Sequence, residues 1–230
     1  MGRAYDEVHT EAVDECCGPE TPDGYEREFD ARFAGRLARE YRQDGLTPAA
    51  RHIVDIAQSN DLDGASVLEI GGGVGAIQVE LLLHGASRTT NLELSGAYEA
   101  EAARLLEEHG LRGRAARVVG VDLAVSPDAV EPADIVILHR VVCCYPDYDA
   151  LLSAAARHAR RAVIFSHPPR TWYTRSAIWA ENLMYRVTGN PFRSFIHPPE
   201  SMIDVLGRDG LEPRYRYPDR VWSVVGAVRA

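Results

Sequence analysis

Residues 66–75 read SVLEIGGGVG, and the fold follows from how that run is read. Three β-favouring residues, Val67, Leu68 and Ile70, flank one acid, Glu69, and lead into Gly71, Gly72, Gly73 and Gly75. Helix-compatible residues follow over 76–83. The run predicts a strand, a tight turn and a helix start. Glycine suits such a turn because the backbone takes φ > 0 there, and because a ligand can approach where a Cβ would otherwise sit.

Outward from this run, β-rich segments near 89–94, 115–120, 134–138 and 162–166 alternate with helical ones, notably 96–109 and 148–157. Alternation of this kind predicts a parallel sheet with helices on both faces. Two final β-rich runs, 211–217 and 221–228, are separated by three residues, which predicts a hairpin and an antiparallel last strand. Upstream, Thr47 and Pro48 are placed as N-cap and first residue of a helix to about 58. Tyr25, Phe29, Phe33, Leu37 and Tyr41 recur at i+4 and predict one amphipathic helix over 25–41. The expected division is a flexible acidic arm at 1–24, a helical cap at 25–60 and one α/β domain at 61–230.

The bulk properties narrow the function. A chain of 230 residues, 46% hydrophobic, holds one sizeable domain. A net charge of -9 argues against a nucleic acid held on a broad basic surface. All 25 basic residues are arginine, which excludes lysine Schiff-base chemistry and a P-loop lysine. No apolar run approaches the ~18 residues of a membrane span, and no secretory h-region is present, so a cytoplasmic protein without a membrane partner is expected. The four cysteines form two adjacent pairs, Cys16-Cys17 and Cys143-Cys144, without C-x-x-C spacing, so no metal site is expected. Composition fits a monomer or a homodimer.

The glycine spacing separates two cofactor types. Dinucleotide binders favour G-x-G-x-x-G. Here Glu69-x-Gly71-x-Gly73-x-Gly75 resembles the first motif of the class I S-adenosylmethionine (SAM) dependent methyltransferases, and Glu93, closing the next strand, stands where that family keeps the acid that holds the ribose diol. The resemblance covers roughly residues 45–230. It implies a three-layer, doubly wound, seven-stranded sheet of order 3-2-1-4-5-7-6 with the last strand antiparallel, SAM as cofactor and a methyl acceptor as substrate. It further implies that Glu69, Gly71, Gly72, Gly73, Gly75, Glu93 and Leu94 bind the cofactor, with Asp122, beside Leu123, at the adenine amino group. The bland alternative for Asp122 is a solvated loop aspartate. Asp134 opens a strand at the wrong end of the sheet and is read as structural.

Candidate chemistry lies past the fourth and fifth strands, because ligands bind outside the carboxyl ends of an open α/β sheet. The run LHRVVCCYPD at 138–147 offers His139 to contact the cofactor or act as a base, and Arg140 and Tyr145 to meet a substrate carboxylate or phenol. His139 can equally be a hydrogen-bonded structural residue. His167, in the first of two His-Pro-Pro copies, is the second candidate base, and Tyr145 a third catalytic candidate. His197, in the other copy, with Trp172 and Tyr173 on the intervening helix at 172–187, would form a substrate wall within an insertion at about 168–200, as this superfamily often has. Its N-terminal helices often act as lids, which would put Tyr25 and Phe29 over the substrate. The aromatics can instead be ordinary core. The layout after the fifth strand also resembles magnesium-protoporphyrin O-methyltransferases, without assigning that substrate. Arsenite methyltransferases share the expected fold and use cysteine thiolates, but their spacing is not reproduced here.

The expected function is methylation of a small molecule, foremost at oxygen. S-, N- or metalloid transfer using the vicinal cysteines is the alternative within the class. A nicotinamide (NAD-dependent) oxidoreductase and a noncatalytic SAM-binding protein are the alternatives outside it.

Overall fold

The computed structural model describes Tyr25 and residues 27–230, so the expected arm at 1–24, with Cys16 and Cys17, lies outside the described residues. Helices α1 (Ala31–Asp44) and α2 (Pro48–Gln58) precede β1 (Ser66–Ile70), α3 (Ala76–Leu83), β2 (Arg88–Glu93), α4 (Glu99–Glu108) and β3 (Ala115–Val119). Then follow β4 (Ala133–Leu138), α5 (Tyr148–His158), β5 (Ala159–His167), α6 (Trp172–Val187), α7 (Pro199–Arg208), β6 (Leu211–Tyr217) and β7 (Ser223–Arg229). The sheet order is β3-β2-β1-β4-β5-β7-β6, with β7 antiparallel to both neighbours. This is the class I methyltransferase fold.

The two faces of the sheet separate cleanly along β4. Ile135 and Ile137 join a cluster with Ile53, Ile56 and Leu81, whereas Val136 and Leu138 join one with Leu152, Phe165 and Leu206. Alternate strand residues point to opposite faces, so a continuous apolar run is needed where both faces are covered. Each fully buried Leu or Ile contributes roughly 1.5–3 kcal/mol.

Two upstream expectations change. The helix foreseen over 25–41 is interrupted: Asp30 accepts from Phe33 N at 2.8 Å and N-caps α1. A short carboxylate competes for backbone donors and favours a cap over a helix interior, which the i+4 aromatic ridge concealed. The second helix begins as expected, with Thr47 as N-cap and Pro48 in the first turn. It belongs to the helical layer on the sheet and not to a cap, since a Cβ on Gly226 of β7 would lie 2.9 Å from Ile56 Cγ2.

Candidate functional site

A cavity of about 570 Å³ opens at the carboxyl ends of β1, β2 and β4. Its floor is the turn after β1. A Cβ on Gly72 would fall 2.1 Å from Asn91 Nδ2 and 2.5 Å from the Glu69 carboxyl, so only bare backbone fits above those two buried side chains. At Gly71 the backbone is left-handed (φ 63°), and a Cβ there would meet Val141 Cγ2 at 2.5 Å.

Glu93 ties this turn to β2. One carboxylate oxygen accepts from Gly73 N at 2.9 Å, and the other accepts from Leu94 N at 2.9 Å and Ser95 N at 3.2 Å. Burial raises the pKa of Glu93, against those backbone donors and Arg117. Glu69 is pushed up to about 7, first by burial and further by Glu93, with Arg117 opposing. Arg117, on β3, donates to Gly73 O at 2.7 Å and pairs with Glu99 at 2.8 Å, so it braces the turn from below while offsetting both acids. Sequence reasoning passed over it because an arginine on a half-exposed strand carries no motif signal.

Beyond β3, Asp122 lines the cavity with Leu123 and accepts from Tyr145 Oη at 3.0 Å. The Tyr145 hydroxyl, expected to face an acceptor or act in catalysis, is therefore engaged by Asp122. Burial and Asp122 both raise its pKa, which leaves the phenol protonated. His197 does not line the cavity; its Nε2 lies 2.9 Å from Tyr145 O, which supports that residue from behind.

The turn after β4 carries the most unusual geometry. Arg140 adopts φ 62°, costly for a residue with a Cβ, and its backbone N–H donates to Ser166 Oγ at 2.9 Å. Its guanidinium sits 5.0 Å from the Trp222 ring centroid and makes no ion pair with any described residue. His139 Nδ1 meets the same Ser166 hydroxyl at 3.0 Å. Burial, with Arg140 adding, pushes the His139 pKa down to about 3, so the imidazole is neutral.

His167 lies outside this cavity. It is buried one residue beyond Ser166 and therefore faces the other side of the sheet, 5.9 Å from the Phe165 ring, with Nδ1 against its neighbour Pro168 O. Ser166 is the residue of β5 that hydrogen-bonds His139 and Arg140 at the cavity wall, and period-two alternation could have found it.

Cys143 and Cys144 both line the cavity, their sulfurs 3.6 Å apart and each within 3.7 Å of Arg140 O. The contact with Cys144, aided by Arg140, lowers the Cys143 pKa, while the same contact and burial raise that of Cys144. Among the described residues no cluster of three or more metal-ligating side chains occurs.

The outer wall is aromatic, and Tyr25 and Phe29 line it while Trp172 and Tyr173 do not. Tyr25 Oη donates to Cys144 O at 2.6 Å, and Phe192 packs edge-on against Tyr25, Phe29 and Tyr185 at 5.3–5.7 Å. From α6 the cavity receives Thr174, Ile178, Glu181 and Tyr185, the face at i, i+4, i+7 and i+11. Trp172 and Tyr173 lie on the opposite face, 79% and 44% exposed, and do not touch the cavity. Gly75 also stands outside it, as the left-handed N-cap of α3.

No family model and no curated protein matches the chain. Solved structures do. The chain is similar to the magnesium protoporphyrin IX methyltransferase of Synechocystis with bound SAH, at TM-score 0.70 and 22% identity, covering 89% of this chain and 97% of that one. It is also similar to an O-methyltransferase family protein from Burkholderia thailandensis, at TM-score 0.67 and 17% identity over 91% of this chain and 64% of that one. A family 2 O-methyltransferase from Planctomyces limnophilus, in complex with apigenin, superposes at TM-score 0.64 and 16% identity over 87% and 62%. At such identities the likeness establishes the fold.

Proposed function

We propose that this chain, built on a class I methyltransferase fold, binds SAM and methylates a small molecule at an acidic oxygen. The observation that carries the reading is one cavity lined both by the glycine turn with Glu93 and by Tyr25, Phe29, His139 and Arg140. The residues fit the cofactor: Gly72 leaves no room for a side chain above Glu69 and Asn91, and Glu93, after accepting three backbone N–H groups, keeps one acceptor site, on the oxygen that meets Gly73 N, for a ribose hydroxyl. Asp122 would take the adenine amino group, with Leu94 and Leu123 against the ring. Bound there, SAM would supply an electrophilic methyl group.

The protein then contributes alignment and exclusion of water. His139 holds a neutral ring at the wall, and with a pKa near 3 it is a weak base, so an acceptor with its own acidity is favoured. Arg140, without a carboxylate partner among the described residues, is placed to stabilise a carboxylate or phenolate. Phe29 and Phe192 would flank a planar body. A second reading, transfer to a sulfur or metalloid acceptor, is supported by the two thiols in the same cavity.

The cofactor assignment is tested by titration calorimetry with SAM, S-adenosylhomocysteine and NAD. Glu93→Ala is expected to weaken both adenosyl ligands at least about tenfold, since a hydrogen bond to a carboxylate is lost and the glycine turn loses its tie to β2. Unchanged affinity, or preference for NAD, refutes it. Labelled SAM with phenol, carboxylate, amine and thiol panels then separates the acceptors: turnover lost in Cys143→Ala but kept in Arg140→Ala selects the sulfur or metalloid reading. Tight SAM binding with no methyl accepted across the panels would mark a noncatalytic binder.

A further inference from the structure

Leu138 of β4 pairs with Phe165 of β5, so one step further along His139 stands beside Ser166, with both side chains on one face of the sheet. The Ser166 hydroxyl is fully buried there and meets two groups among the described residues, the Arg140 backbone N–H at 2.9 Å and His139 Nδ1 at 3.0 Å. The first can only donate, so it takes a lone pair of Oγ. The single hydroxyl proton is then left with one acceptor within reach, Nδ1.

That count fixes the imidazole. Were Nδ1 to carry a proton, Oγ would accept twice and its own proton would be buried without a partner, which incurs the full desolvation cost of the hydroxyl. The same objection holds against the imidazolium, which carries N–H groups at both positions. Burial beside Arg140 acts in the same direction by disfavouring the charged ring. Nδ1 is therefore bare, and the proton of the neutral ring sits on Nε2. Nε2 has no hydrogen-bond partner among the described residues and is not sealed in the protein, so it opens on the cavity that the ring lines.

We propose that Ser166 is a positioning residue that holds His139 as the Nε2–H tautomer, so that the ring offers the cavity a hydrogen-bond donor, and not a base, for an anionic oxygen of the methyl acceptor. Arg140 reinforces this choice of ligand. Its guanidinium and the His139 ring stand beside the same indole, 5.0 Å and 6.4 Å from the Trp222 ring centroid. A carboxylate or phenolate can accept from the ring N–H while facing the guanidinium charge. An acceptor that needs its proton removed is disfavoured, because the nitrogen that opens on the cavity already carries one. The negative charge on the attacking oxygen is greatest before transfer and passes into the new C–O bond. A donor at that oxygen therefore strengthens acceptor binding more than the transition state, and its loss is felt in KM without lowering kcat. The identity of this ligand rests on the methyltransferase reading above; the tautomer does not.

Long-range proton–nitrogen correlation spectra of the ligand-free full chain, with its histidines labelled with ¹⁵N, read the tautomer directly, and His139→Gln identifies the signals by their absence. Across neutral pH the proton is expected on Nε2. Ser166→Ala is expected to show both tautomers, and Ser166→Thr to restore the single one. A proton on Nδ1 in the wild type overturns the proposal, as does a Ser166→Ala spectrum that keeps one tautomer. With an acceptor from the panels, His139→Phe is expected to raise its KM about tenfold, and His139→Gln, whose amide N–H₂ can take the place of Nε2–H, to recover to within about threefold of the wild type. A fall in kcat of about a hundredfold in His139→Gln would make the ring the base and overturn the proposal. The spectra need neither SAM nor acceptor, so their outcome is separable from failure of the methyltransferase reading, which calorimetry with SAM exposes.

Discussion

The two halves of the cavity are made from different materials. Around Gly71–Gly73 and Glu93 the groups are backbone amides and buried carboxylates at strand ends, held by Arg117 and by paired strands on either side. The half around Tyr25, Phe29, Phe192 and Tyr185 is made of side chains from segments outside the sheet, joined mainly by ring contacts. Sheet ends are rigid and tolerate little. Peripheral segments accept change and so can specify an acceptor without disturbing the cofactor.

If that contrast is real, damage should scale with which half is touched. Gly72→Ala should have the largest effect, because its Cβ would collide with Asn91 and Glu69, which have nowhere to move. Loss of detectable SAM binding by calorimetry is expected, with thermal stability reduced by about 1–3 kcal/mol. Near-normal binding would show that the turn adapts as freely as the outer wall.

A smaller effect is expected from Glu69→Gln. The Glu69 carboxyl has its pKa raised in the folded state from 4.5 to about 7. Its contribution is therefore full below the unfolded pKa and is lost as pH rises through the folded one. Ligand-free wild type should lose up to ~1.4 kcal/mol per pH unit across that window relative to the glutamine variant. Denaturant unfolding of both proteins at several pH values checks this, and parallel pH curves would mean the acid is not constrained as its burial implies.

The smallest effect is expected at the outer wall. Tyr25→Phe removes one hydrogen bond to Cys144 O, worth about 1 kcal/mol, and should raise acceptor KM roughly fivefold. SAM affinity should not move. A change in SAM affinity instead would erase the division between the halves.

The same division explains what the sequence disclosed. The strand at 66–70 and the helix at 172–187 stand where periodicity put them, the short link before the last run pointed to the antiparallel strand, and the order of all seven strands is the one the methyltransferase resemblance implied. Backbone sites are legible because glycine spacing and strand ends fix them. The outer wall was misread in part because composition names aromatic residues without naming their face: Tyr25 and Phe29 do line the cavity, but Trp172 and Tyr173 point outward, while Phe192, in an irregular segment, packs against the first two. His167 failed for a related reason. A one-residue step along β5 exchanges the two sides of the sheet, and Ser166 took the place expected of the histidine.

The segment at 25–29 and the stretch after α6 are also fastened to each other: Arg27 donates to Gly189 O at 3.0 Å, Asn190 donates to Glu28 at 3.4 Å, and Phe192 sits between Tyr25 and Phe29. Neither can swing aside alone without giving up bonds to the other. Loosening either stretch therefore removes support from the other, so mutations more than 150 residues apart in the chain are expected to disturb the same side of the cavity.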